Sequence, residues 1–445
     1  MTVCTKTACT RTAPAIFSPR YEALSRDELM QLQLERLQVT VNRACKNVPF
    51  YRRLLDDLAL QPEDLQSVAD LRKLPFTTKE DLRRSYPYDM VAVPLREVVR
   101  FHLSSGTTGA PTVIAYTAND LQHWTELVAR NLVAGGITRD DVVQIFFGYG
   151  LFSGGFGLHQ GAEAIGASVL PLSSAELPQQ VKIMQDFRSS ALVGMPSYAL
   201  EIADAMDVQG VDANSLSLRV GLFGAEPWSE ATRADIERRL HIRAYDIYGL
   251  SEMGGPGVSG ECEHHTGLHL AEDHFLVEVV DPVTGAPVPD GEEGELIFTT
   301  LTKEALPLLR YRSGDLSRLE TAPCACGRTC ARMARVSRRT DDVVIIHGIG
   351  VFPAGVAAVL AEFTEVGPRF QLVVERPGGR DELEVRVELA GLPSDMTVGL
   401  MRLRDRMSNR LRQALGIELK LTLLEPRSLA GLGETCPRVV DKRNG

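Results

Sequence analysis

The stretch RVGLFGAEPWSEATRADIERRLHIRAYDIYG, residues 219–249, has the pattern of a strand, a helix and a second strand. It opens on a short apolar run, RVGLF (219–223), passes through a helix-like segment at 231–240 and closes on a second apolar run, AYDIYG (244–249). The same kind of run recurs as VVQIFF (142–147), ASVLPL (167–172) and ALVGMP (191–196). Continuous apolar strands that alternate with helices imply a largely parallel sheet, buried on both faces. The body of the chain is therefore α/β.

At the N-terminal side, Ser25 with Glu28 three residues on forms a capping-box signal, and Met30, Leu34, Leu37, Val41 and Ala44 then share one helical face. From about residue 340 the character changes. FQLVVE and LEVRVEL flank the turn RPGGRDE, a hairpin signal. Leu400, Leu403, Met407 and Leu411 mark an amphipathic helix stopped by Gly416, and IELKLTLL reads as a final strand. The expected organisation is a large N-terminal α/β domain over residues 1–337 and a small α+β domain over 338–445, with the boundary at SRRTDD. A chain of 445 residues exceeds what one core usually supports, in agreement with that division.

Composition excludes several classes of function. With 44% hydrophobic and 24% charged residues the chain reads as an ordinary globular protein, and a net charge of -10 with no basic run argues against nucleic acid. The N-terminus lacks the apolar core of a signal peptide, and the most apolar later stretch is broken by glycines, Gln144 and Ser153, so no membrane span or export signal is read and a cytoplasmic location is the expectation. Eight cysteines in so long a chain do not make a disulfide framework, although Cys324, Cys326 and Cys330 crowd together.

A Ser/Thr/Gly run follows a candidate strand in HLSSGTTGAPTVIAYT (102–117). Gly106 and Gly109 allow sharp turns, so successive N–H groups can converge on an anion, with Ser104, Ser105, Thr107 and Thr108 adding hydroxyl donors. It is not the lysine-bearing loop of P-loop NTPases, because Ala110 stands where a lysine often lies. Taken alone, such a run is as well explained by a polar surface turn.

Its company changes the reading. SSGTTGAPT, FGAEPW (223–228), DIYGLSEMGGPGV (246–258), RYRSGDLSRL (310–319) and RRTDDVVIIHGIGVFP (338–353) occur in an order and spacing that resemble the phenylacetate–CoA ligase family of the acyl-adenylate-forming superfamily. The likeness runs from about residue 20 to Arg443. It implies a large domain of adenylate-forming type with a small C-terminal domain that rotates between two half-reactions. A carboxylate attacks the α-phosphate of ATP to give acyl-AMP and pyrophosphate, and a thiol then takes the acyl group.

The resemblance also assigns roles. Ser104, Ser105, Gly106, Thr107, Thr108 and Gly109 would hold the departing phosphates, Glu252 would help bind Mg²⁺, and Ser251 would contact the α-phosphate. Gly224, Ala225 and Glu226 would flank adenine, Tyr248 and Gly249 would lie against the nucleotide, and Asp315 would accept from the ribose hydroxyls. Arg339 stands with the catalytic group and Asp341 is the expected hinge pivot. Tyr149, Gly150, Phe152, Gly254 and Pro256 would line the acyl pocket, whose aromatic, glycine-rich wall suits an aryl or arylacetic acid. Outside this motif set Glu252 would read as a helix first-turn residue, Asp315 as a turn former and the aromatics as core. Cys262 and His269, with Cys324 and Cys326 of CACGRTC, make two pairs of soft ligands for a structural Zn²⁺ as in some family members; Cys330, His264 and His265 compete, and free thiols are the alternative.

Two departures from the family pattern bear on mechanism. Ala110 replaces the loop lysine, and Thr435 falls where the family carries the lysine that bridges carboxylate and α-phosphate, with Arg438 and Lys442 the nearest cations. Losing one oriented donor of that kind costs about 3 kcal/mol, so adenylation is expected to weaken while thiol transfer is spared. The leading expectation is an ATP-dependent aryl-CoA ligase using ATP, Mg²⁺ and CoA. The alternatives are an acyltransferase moving an aryl group from a preformed aryl-CoA to the phosphopantetheine of an acyl carrier protein, and a non-catalytic nucleotide-binding relative. Homodimers are common in the family.

Overall fold

The computed structural model describes residues 16–103, 111–150, 154–173, 175–336, 338–340, 343–377, 380–391, 398–426, 428–429 and 438–443. The quoted stretch folds as a βαβ unit. Val220–Gly224 leads to the helix Glu230–Leu240, which is capped where the Ser229 side chain accepts from the Thr232 N–H and which ends at His241 with φ 54°. The chain then returns as Arg243–Leu250, parallel to the first strand. The apolar runs lie side by side in the order Ser168–Pro171, Val142–Ile145, Ala191–Gly194, Val220–Gly224, Arg243–Leu250, all parallel. Neighbouring residues on one strand point to opposite faces. Accordingly Val193 and Leu222 join Trp124, Leu127 and Leu158 in one core, whereas Leu192 and Phe223 join Met184, Ile202 and Ile236 in another.

The sheet is parallel over only part of its width. Beyond Arg243–Leu250 it continues antiparallel through Gly255–Glu261, Leu268–Leu270, Arg332–Met333 and Leu319–Glu320. The cause is the tight reversal at Ser251–Met253, which is followed by Gly254 and Gly255 at φ 115° and 111°. So short a connection can join only antiparallel neighbours. A second sheet orders Phe275–Val280, Gly294–Thr300, Tyr311–Ser317 and Arg338–Arg339, and its last strand pairs Arg339 with Asp315.

The first long helix, Arg26–Asn47, carries the expected capping box, but its buried face is Leu29, Gln33, Leu37, Thr40, Val41 and Ala44. Met30 is 50% exposed. Polar Gln33 and Thr40 turn inward because each donates to a main-chain carbonyl, Glu272 at 2.9 Å and Leu301 at 3.0 Å.

The C-terminal part has its own core, including Val344, Val351, Leu372, Val385, Leu403, Met407 and Leu411. Val366–Glu375 and Glu382–Leu389 form the expected hairpin, and the helix Val398–Leu415 ends before Gly416 at φ 71°. Lys420–Leu424 joins the hairpin but is not the final strand. Val439–Asp441 adds a parallel partner on the other side, and three residues are too few to show alternation in the sequence. No helix among the described residues is long and apolar enough to cross a membrane.

Candidate functional site

The site is built where the two sheets of the large domain meet. Tyr248, near the end of a parallel strand, donates its hydroxyl to Asp315 Oδ2 at 2.6 Å, and its ring stacks on Phe298 with centroids 6.2 Å apart. Arg339 pairs with the other Asp315 oxygen and donates to the Ser313 carbonyl at 2.9 Å. Burial, followed by the Asp315 charge, pushes the Tyr248 phenol well above its ordinary value, so it stays a donor at neutral pH. Two glycines let the backbone close in here: a Cβ on Gly249 would lie 2.1 Å from the Gly255 carbonyl oxygen, and one on Gly224 would lie 2.2 Å from that of Ile247.

Glu252 follows on the 3-10 turn beside half-buried Ser251. Its carboxylate is 5% exposed and lies 3.7 Å from the Lys79 ammonium. Three donors that the sequence reading did not single out hold the turn from outside. Lys303 donates to the Glu252 carbonyl at 3.1 Å, Tyr116 to that of Gly254 at 2.9 Å and Trp124 to that of Pro256 at 2.8 Å. Lys303 is pushed down to about 8 by desolvation, against the pull of Asp120 and Glu252. Nothing in the spacing of these residues marks them as braces.

Beyond the end of Val220–Gly224, Ala225 is exposed at φ 70°. The Glu226 side chain turns inward instead. One oxygen accepts from the Ser197 N–H at 2.7 Å, and the other is buried with no hydrogen-bond partner among the described residues. Burial first, and then the charge of Asp381 in the C-terminal domain, push this carboxyl up to about 7. Asp381 is itself buried between Arg376 at 2.5 Å and Arg443 at 2.8 Å. The C-terminal domain also reaches the large one through Arg380 to Glu201 at 3.3 Å.

Among the acyl-pocket candidates, half-buried Tyr149 shares a hydrogen bond with His159 Nδ1 at 3.2 Å and packs edge-on against Phe156 at 5.4 Å. Phe156 continues to His102 at 5.7 Å, and His102 to Tyr116 at 5.5 Å. An aromatic chain thus runs from Tyr149 to the residue that holds Gly254. Gly150 is exposed, Gly254 buried and Pro256 half-buried.

Residues 8–301 match the AMP-binding enzyme family, and residues 348–443 match the AMP-binding enzyme C-terminal domain. Phenylacetate-coenzyme A ligase of Thermus thermophilus is 46% identical over 443 residues, covering 96% of this chain and 100% of that protein. This chain belongs to the phenylacetate–CoA ligase family. The Escherichia coli phenylacetate-coenzyme A ligase is likewise 46% identical, over 95% of this chain and 97% of its own. Among solved structures, a 2-hydroxyisobutyryl-CoA ligase in its thioesterification state, 29% identical and covering 96% of this chain and 92% of its own, superposes with a TM-score of 0.89. An open conformation of that enzyme, 28% identical and covering 95% and 94%, gives 0.70. At nearly unchanged coverage, this ligase-family chain superposes better on the thioesterification-state structure of that enzyme than on its open conformation.

Of the candidate residues, Ser104, Ser105, Gly106, Thr107, Thr108, Gly109, Phe152 and Asp341 lie outside the described residues, as do Ala110 and Thr435, where the chain departs from the family pattern. The two neighbouring cations are engaged within their own domain: Arg438 lies over the Phe370 ring at 5.1 Å and Lys442 pairs with Glu375 at 2.6 Å.

Away from the cleft, Cys262, His269, Cys324 and Cys326 are buried with their ligand atoms within 4.8 Å of one another. Cys262 and Cys324 sulfurs are 3.8 Å apart, and His269 Nε2 is 3.3 Å from Cys262 and 3.4 Å from Cys326. These separations are close to the edges of a tetrahedron with metal–ligand bonds of about 2.0–2.3 Å, and far from a disulfide. Cys330 faces the other imidazole nitrogen, Nδ1, at 3.4 Å. His265 stacks on Tyr245 and faces Glu261, and His264 is exposed.

Proposed function

We propose that this chain joins an aryl carboxylate to AMP with ATP as donor and transfers the acyl group to the thiol of coenzyme A. The match over nearly the whole length of the phenylacetate–CoA ligases carries this reading. In the first step a carboxylate oxygen bonds to the α-phosphorus and the bond to pyrophosphate breaks. In the second the thiol sulfur bonds to the acyl carbon and AMP leaves. Both steps bring anions together, so the protein's contribution is positioning and charge compensation.

Asp315 accepts from the ribose hydroxyls. The bonds to Tyr248 and Arg339 fix the orientation of its carboxylate. Tyr248 and Gly249 border the nucleotide, Gly224, Ala225 and Glu226 flank adenine, and Ser104 to Gly109 with Ser251 hold phosphates. Glu252 suits Mg²⁺, a hard cation that takes few carboxylates plus phosphate oxygens: it is a buried oxygen donor, and the Lys79 ammonium stands 3.7 Å from its carboxylate, beyond hydrogen-bond length. Bound there, the ion would neutralise the departing phosphates. Tyr149, Gly150, Phe152, Gly254 and Pro256 line the aryl pocket, and Cys262, His269, Cys324 and Cys326 hold a structural Zn²⁺. We place the domain boundary at residues 337 and 338, the pivot at Asp341 and the enzyme in the cytoplasm.

Thr435 favours one second reading, transfer from a preformed aryl-CoA to a carrier-protein thiol without adenylation. Incubation with aryl acids, ATP and CoA, followed by mass spectrometry for aryl-CoA and assay of pyrophosphate, tests the first. Absence of both products, with ATP-independent exchange between aryl-CoA and a phosphopantetheinylated carrier, would overturn it in favour of the second.

A further inference from the structure

Phe352 belongs to the C-terminal domain, where it caps the helix Pro353–Leu360, and its carbonyl accepts from the Gly355 N–H at 2.9 Å. Its ring therefore moves with that domain. In the present arrangement the ring meets two cations of the large domain, Lys79 at 4.5 Å and Arg83 at 5.2 Å from its centroid. They stand four residues apart on the helix Lys79–Arg84 and so share a face. The buried Arg83 Nη2 has no hydrogen-bond partner among the described residues, as expected of a guanidinium laid on a ring. The same Lys79 ammonium is 3.7 Å from Glu252, a carboxylate that burial makes costly without a countercharge.

We propose that Phe352 and Lys79 form a clamp specific to the thioesterification arrangement. The ring of the mobile domain holds the Lys79 ammonium against Glu252, supplying countercharge to that carboxylate once pyrophosphate and its cation have left. The clamp also seats the C-terminal domain for attack by the thiol. Phe352 and Lys79 are positioning residues for the second half-reaction, an inference that rests on the ligase reading above.

The test has one readout independent of turnover. Glu201→Cys and Arg380→Cys replace a surface ion pair between the domains, and a short bismaleimide joins the two thiols only in this arrangement. The background carries Cys4→Ser, Cys9→Ser, Cys45→Ser and Cys436→Ser. Phe352→Ala is expected to lower the cross-linked fraction roughly threefold or more, and to slow transfer from preformed aryl-adenylate to CoA by about tenfold, while acid-dependent pyrophosphate exchange stays within about twofold. Phe352→Tyr, which keeps the ring face, restores both. Lys79→Met added to Phe352→Ala lowers cross-linking no further. Cross-linking unchanged in Phe352→Ala, equal slowing of both half-reactions, or failure of Phe352→Tyr to restore would overturn the clamp. If the parent shows no pyrophosphate exchange, the ligase reading fails, and cross-linking still decides whether the clamp exists.

Discussion

Glu226→Gln should flatten the pH dependence of stability. The Glu226 carboxyl is 6% exposed, one oxygen is buried without a partner and Asp381 of the other domain lies near, which together raise it from an ordinary 4.5 to about 7. A group whose native value lies above its unfolded value stabilises most below the unfolded one, and that contribution is lost as pH rises through the native one. The window is therefore from about 4.5 to about 7. A rise of that size corresponds to about 3 kcal/mol, an upper bound because any water that reaches the carboxyl screens it. Glutamine keeps an acceptor for the Ser197 N–H and never ionises. Urea unfolding of both proteins at about pH 5 and about pH 8.5 should show the wild type losing roughly 2–3 kcal/mol more than Glu226→Gln. A difference between the two proteins that stays constant across that range would refute the argument.

Three further outcomes are expected. Tyr248→Phe removes a 2.6 Å hydrogen bond to a charged acceptor, worth about 1.5–3 kcal/mol, and should raise the KM for ATP roughly tenfold or more in steady-state assays. Elemental analysis should find one zinc per chain; Cys326→Ser should lose it and lower the unfolding temperature by roughly 5–10 °C, whereas Cys45→Ser should do neither. Thr435→Lys should speed pyrophosphate exchange by roughly two orders of magnitude and leave transfer from preformed aryl-adenylate to CoA unchanged.

What could be read in advance was whatever depends on local pattern. The apolar runs around Val193 and Leu222 announce strands covered on both faces, Ser229 and Ser25 start helices by capping, and Gly416 stops one. The grouping of Tyr248, Asp315 and Arg339 was legible only through motif order, because sheet pairing brings residues far apart in sequence together. What pattern could not supply were contacts that satisfy buried polar groups across long separations. Gln33 and Thr40 look like solvent-facing positions until their carbonyl partners are known, and Met30 looks like core for the same reason. Lys303 carries no periodic signal, and Trp124, which falls on the buried face of its helix with Leu127 and Val128, reads there as core and not as a donor to a main-chain oxygen. The inward turn of Glu226 rests on the Ser197 N–H, and its raised pKa depends partly on Asp381, more than a hundred residues away in sequence.

The reversal between Tyr248 and Pro256 gathers several of the proposed site residues into a few consecutive positions, yet its carbonyls are held by Tyr116, Trp124 and Lys303, which come from three other segments. Anyone transplanting this loop into a relative to change acyl preference would therefore move the functional groups without their scaffold. A chimera that carries those three side chains along with the loop should keep its shape, and one that omits them should yield folded protein with a slack, poorly saturable site.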